Sequence, residues 1–290
     1  MSAPIPSHPS SVPPDSPQTP EPDLPVMAQP YVPPAQEGPR AQLQLLALSA
    51  PVRWLVLGFA DLRAQPGIAL FYGLAFWCMA QVLALVFRHS PEYTLSMVSG
   101  CLLVGPFLAM GLYEVSRRRE QGQNPSLAAS LTCWDGHMRS MAMLVLVLLV
   151  LELLWGRASL VVFAVFFNTG MPSTTGVIEA VFNPENLDFV AVYMAVGGVF
   201  ATLVFAISVV SIPMILDRDT DAISAGLTSV RVFLGETAVM AFWGLALSLL
   251  VLLSLMSAWM LALIVVGPWL GHASWHAYRG TVVWDDSPTG

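Results

Sequence analysis

The chain has 290 residues, 56% of them hydrophobic and only 11% charged, with a mean hydropathy of +0.67. A soluble domain is about 45–50% apolar and about 25% charged, so that class is excluded. The net charge is −7 and all twelve basic residues are arginine, which leaves no basic footprint for nucleic acid. Three cysteines without a close pair exclude a disulfide scaffold or a zinc ribbon. What remains is an all-α, polytopic helical membrane protein with the lipid bilayer as its first partner.

Residues 1–40 hold 13 of the 23 prolines together with Asp15, Glu21, Asp23 and Glu37. Proline removes backbone donors and the stretch has too little apolar surface to offset ordering entropy, so a disordered, proline-rich cytoplasmic tail is expected. No basic start and no apolar run precede residue 41, so the first span is expected to direct insertion and the tail to stay uncleaved. The membrane domain is expected over 41–280, with a short C-terminal tail at 281–290.

Apolar runs follow at 67–87, 93–113, 140–166 and 189–216, and a last one extends from Thr237 to Arg279. A span needs about 20 residues at ~1.5 Å each, so the first four runs give one helix apiece. Thr237 to Leu270 as one helix would reach roughly 51 Å, well beyond a hydrocarbon core of ~30 Å. A split near Ser254–Ser257 gives six transmembrane helices; one long kinked helix would give five.

The segments before the first span, after the second and after the fourth carry Arg40, Arg53, Arg63, Arg117, Arg118, Arg119, Arg139, Arg218 and Arg231. The opposite connections carry Arg88 and the acidic Glu179, Glu185 and Asp188. The positive-inside rule then puts both termini in the cytoplasm.

A short amphipathic stretch precedes each odd-numbered span. Leu127, Leu131, Trp134 and Met138 have the same intervals of 4, 3 and 4 as Ile223, Leu227, Val230 and Leu234. Leu55, Phe59 and Leu62 begin a third copy, with Pro66 at its fourth place. Such intervals trace one helix face, so three repeats of an interfacial helix plus a helical hairpin are expected. Gly198, Thr202 and Ala206, and Ser96 with Gly100, space small residues for close helix packing. Pro106 and Pro213 are placed to bend their helices.

Glu152 lies near the middle of the third span, where an ionisable group is costly and usually faces the bundle interior for a use. Arg157 points about 140° away on an ideal helix, so it is expected to reach for the interface rather than for Glu152. His272 and His276 share a helix face, and Cys133 and His137 repeat that spacing. Paired imidazoles with a thiolate suit a transition metal, and two histidines can hold haem; the bland alternative is interface histidines and an apolar cysteine. No cofactor is required by the sequence. Glu114 with Arg117 and Arg118 has helical ion-pair spacing. Asp217, Arg218, Asp219 and Asp221 could coordinate a divalent cation or form a solvated helix entry. No Walker loop, nucleophile elbow, HExxH or dinucleotide fingerprint occurs, so no enzyme is expected.

Asp61-Leu62-Arg63-Ala64-Gln65-Pro66-Gly67 leads into Phe71-Tyr72-Gly73-Leu74, and Gly105-Pro106-Phe107 runs on to Tyr113-Glu114-Val115-Ser116-Arg117-Arg118. Near the end stands Gly271-His272-Ala273-Ser274-Trp275-His276-Ala277-Tyr278-Arg279. Together these resemble the bacterial integral-membrane family catalogued as domain of unknown function 2189, over roughly 45–285. The resemblance implies an inner-membrane protein of a Gram-negative bacterium. Some members carry a cytochrome c oxidase label, yet this chain has five histidines, one of them His8 in the tail, against the six of a haem–copper catalytic subunit. The expected role is therefore an accessory or assembly partner of a larger, respiratory membrane complex. The alternatives are a small-molecule or ion transporter with its site near Glu152, and metal or haem binding at the cytoplasmic face by His272 and His276.

Overall fold

A computed structural model describes residues 40–89, 94–167 and 183–285. The expected tail at 1–39, the outer segment around Glu179 and the last five residues lie outside the described residues. The chain opens with a short strand, β1 (Arg40–Leu43), and closes with β2 (Val282–Asp285), which pair antiparallel with Leu43 opposite Val282. The stretch after 280, expected as a tail, thus begins with a strand that joins the two ends of the described chain.

Between the strands lie α1 (Ala50–Ala64), α2 (Pro66–His89), α3 (Thr94–Glu120), α4 (Leu127–Thr132) and α5 (Met138–Phe166). They are followed by α6 (Leu187–Ser208), α7 (Ser211–Arg218), α8 (Ala222–Gly235), α9 (Thr237–Met256) and α10 (Leu263–Thr281). Among the described residues four segments are long and apolar enough to cross a membrane: α2, α5, α9, and α6 taken together with α7. The second half of α10 carries His272, His276 and Arg279, and α3 ends in Arg117, Arg118, Arg119 and Glu120, so polar groups crowd one end of each.

The last apolar run is two helices. The chain breaks after Met256, makes a 3-10 turn over Ala258–Met260, and takes positive φ at Trp259 and Met260. No glycine or proline marks this turn. It is held from outside instead: Trp77 Nε1 and Gln81 Nε2 on α2 both donate to the Trp259 carbonyl, at 2.8 and 2.6 Å. Pro213 acts by breaking its helix rather than bending it. Its ring denies space to the carbonyl four residues back and it lacks an N–H, and the helix is interrupted between α6 and α7. The buried Ser229 hydroxyl on α8 accepts the Val210 N–H there, at 3.1 Å.

Buried residues concentrate at one end, where α2, α5 and α9 begin and α3 and α10 finish; we refer to it as the polar end. Tyr72, Met110, Leu112, Met141, Leu144, Met240, Trp243, Trp275 and Tyr278 are buried there. A smaller aromatic group, Phe163, Phe167 and Phe189, closes α5 against the start of α6. The close-packing residue on α6 is Gly197, whose space is taken by the Trp155 ring, and not Gly198, which faces open space.

The short helices refine the expected repeat. On α8 the face Ile223–Leu227–Leu234 is exposed and the opposite face, Ala222–Ala225–Ser229–Val232, is buried. On α1 the exposed face is Val52–Val56–Phe59, continued by Arg63, which is again spaced 4, 3 and 4. Leu62 is buried, so the expected Leu55–Phe59–Leu62 row of the first copy is not the exposed face of α1. The second copy is not one helix, because α4 ends at Thr132 and Met138 already starts α5.

α10 is the element around which α1, α2 and α3 pack, and two glycines permit it. A Cβ on Gly58 would meet the backbone of Ala273, and one on Gly73 would land on the backbone carbonyl of Ile264. Backbone cannot yield as a side chain can, so Gly73→Ala is expected to destabilise by about 1–3 kcal/mol. Gly198→Ala, entering open space, should not. Thermal melts of the two variants in detergent check the contrast; equal melting temperatures would contradict the packing.

Candidate functional site

The polar end holds a buried network assembled from four helices. Asp61 is its hub. It lies on α1 in line with Trp54 and Gly58, the face turned inward, and is only 6% exposed. Arg119 on α3 forms an ion pair with its Oδ1, and His276 Nε2 on α10 lies 2.9 Å from its Oδ2. Ser116, one turn before Arg119, meets His272 Nδ1 at 2.8 Å and also hydrogen-bonds Asp61. Burial alone would raise the Asp61 carboxyl. The hydrogen bonds from His276 and Ser116, with the nearby imidazoles, outweigh it and hold the carboxyl below the ordinary aspartate range.

Three further carboxylates extend the network. Glu114, buried on α3, takes Arg117 and Arg118 in the pairs its spacing implies, at 2.7 and 2.6 Å, and Arg117 also donates to the Leu216 carbonyl on α7. Glu120 accepts from Trp275 Nε1 at 3.0 Å and from Arg279 Nε at 3.1 Å. Asp217 accepts from the Tyr278 hydroxyl, which in turn accepts from Trp284 Nε1 on β2. Arg218 lies over the Trp284 ring, 4.8 Å from its centroid. Ser116 faces His272 and Glu120 faces Trp275 and Arg279, so α3 and α10 run parallel into this end.

The residues singled out for metal chemistry separate into different places. His272 and His276 both belong to the Asp61 network, each with a ring nitrogen engaged inside the protein. His272 Nε2 is buried with no hydrogen-bond partner among the described residues. His137 instead pairs with Asp219 at 2.9 Å, tying the connection before α5 to the left-handed cap of α7. Cys133 donates to the Ser130 carbonyl, and burial pushes its thiol up to about 12. Asp221 caps α8 through the N–H groups of Ile223 and Ser224, while Asp217 and Asp219 turn to other partners. Among the described residues no group of three or more metal-binding side chains gathers in one place.

Glu152 and Arg157 stand apart from all of this. Glu152 continues the row of buried Leu144 and Leu148 at intervals of four, so it lies on the inward face of α5 and is half-buried. Neither Glu152 nor the exposed Arg157 has a hydrogen bond or ion pair among the described residues.

Residues 94–217 match the family model described as Predicted integral membrane protein (DUF2189). The resemblance is therefore shown over α3 to α7, and the long apolar helices agree that the protein sits in a lipid bilayer. No curated protein and no solved structure matches the chain. The closing string 271–279 lies outside the matched segment but is bonded directly to it through Ser116 and Glu120. All three strings that carry the resemblance, on α1, α3 and α10, thus meet at Asp61.

Asp61, Ser116 and Glu120 were not singled out by sequence reasoning. The available signal is a lone carboxylate on the otherwise apolar inner face of α1. The ionised Asp61 binds its proton less readily folded than unfolded. Its contribution to stability is therefore present above the ordinary aspartate pKa of about 3.9 and lost as pH falls through the lower folded value. Asp61→Asn should cost about 2–3 kcal/mol at neutral pH and flatten the acid limb of the stability profile. Thermal melts of detergent-solubilised protein between pH 3 and 7 check this; an unchanged acid limb in the variant would contradict it.

Proposed function

We propose that the protein is a non-enzymatic accessory or assembly partner of a larger inner-membrane complex. The observation carrying this reading is Glu152. An ionisable side chain near mid-span costs at least a few kcal/mol unless it is paired, and this one has no partner among the described residues. Only 17% of the membrane-crossing window of α5 is buried inside the protein, and 11% of that of α2, so much helix surface is free to meet another protein. Glu152 is only half-buried, so a partner helix docked along α5 and supplying a donor to its open side would satisfy both features.

The proposed frame is six spans, α2, α3, α5, α6, α9 and α10, with both termini in the cytoplasm. The parallel course of α3 and α10 and the gathering of Arg117, Arg118, Arg119, Arg218 and Arg279 at one end support it. The order of short helix, long helix, long helix recurs three times, as three repeats would have it.

The same carboxylate favours a second reading, a transporter with a proton or cation site at Glu152. One pair of measurements separates the two. Affinity purification from native membranes should recover a stoichiometric membrane partner with the wild type and lose most of it with Glu152→Leu. Recovery of the chain alone would contradict the accessory reading. Glu152→Gln abolishing proton-coupled flux in proteoliposomes of the isolated protein would establish the transporter instead.

A further inference from the structure

We propose that the cleft between the loop 44–49, α1 and the end of α10 binds the phosphodiester head group of an anionic phospholipid. The cleft encloses about 490 Å³, and Arg53, Glu120, His276 and Arg279 line it together with Leu45 and Leu57. Its charges do not cancel. Arg279 is matched by Glu120 at 3.1 Å, which Trp275 holds in addition, while Asp217, 3.8 Å from Arg279, is balanced by Arg218 at 3.6 Å. His276 is engaged by Asp61, whose charge is met by Arg119. Arg53 has no hydrogen bond or ion pair from its side chain among the described residues. The cleft therefore keeps one uncompensated guanidinium, which suits a singly charged phosphodiester.

The apolar wall identifies the source of that phosphate. Leu45 is 92% exposed at the cleft, and Val52 and Val56, flanking Arg53 on α1, stand exposed on the adjoining face. Arg53 and Leu57 are one turn apart, so α1 presents a cation and an apolar residue to the cleft while Val52, Val56 and Phe59 stand exposed on its outer face. A helix with such a face lies in the bilayer interface, at the depth of the head groups. A lipid uses both surfaces, with its phosphate at Arg53 and its acyl chains along the valines. Free phosphate would use only the first. This binding goes beyond the accessory reading and does not depend on it.

The test titrates full-length protein in a maltoside detergent with dioctanoyl phosphatidylglycerol, dioctanoyl phosphatidylcholine and inorganic phosphate, with binding read by native mass spectrometry. Phosphatidylglycerol should bind selectively to the wild type and about ten-fold more weakly to Arg53→Gln. Arg231→Gln, on α8 and outside the cleft lining, should bind it as the wild type does, and Arg53→Lys should retain it. Equal phosphatidylglycerol binding by Arg53→Gln and wild type would overturn the proposal. So would phosphatidylcholine binding as tightly, or inorganic phosphate binding as tightly, which would mark a free-phosphate site.

Discussion

Everything at the polar end depends on one buried carboxylate. Asp61 sits on a short helix that cannot cross the membrane by itself, and it receives Arg119 and Ser116 from α3 and His276 from α10. A buried charge with one partner removed is strongly destabilising, so the three helices must arrive together or not at all. The glycine contacts serve the same end. Gly58 lets α1 approach α10 closely, and Asp61, three residues later, faces the same helix. Packing sets the approach of the helices and the carboxylate fixes their register.

Hydrophobicity made much of the fold legible. The run boundaries, the division of the last run and the Glu114 pairs with Arg117 and Arg118 follow from composition, length and helical spacing. What stayed hidden has a common cause. A helix between protein and lipid is apolar on two faces, so periodicity does not say which face turns inward. That is why the buried Leu62 falls on the face of α1 expected to be exposed, and why Gly197 rather than Gly198 makes the contact on α6. The turn over Ala258–Met260 was found by length alone, since its stability comes from Trp77 and Gln81 on a distant helix.

The candidate site was legible only in fragments. The spacing of His272 and His276 suits metal chemistry, whereas the structure engages them with Ser116 and Asp61. Their partners lie on helices far away in sequence, and no local pattern announces such a pairing. The fragments that carried the family resemblance are the ones that converge, which links the recognisable sequence to one physical feature, a polar cluster locking three helices. Glu152 stands near mid-helix, as its position in the third apolar run implies, and has no partner among the described residues.

The most direct test of the hub is a double-mutant cycle on Asp61→Asn and Arg119→Gln, read by unfolding free energy in detergent at neutral pH. If Asp61 locks α1 to α3, the two substitutions are coupled by about 1 kcal/mol or more. Additivity within about 0.3–0.5 kcal/mol would contradict that lock.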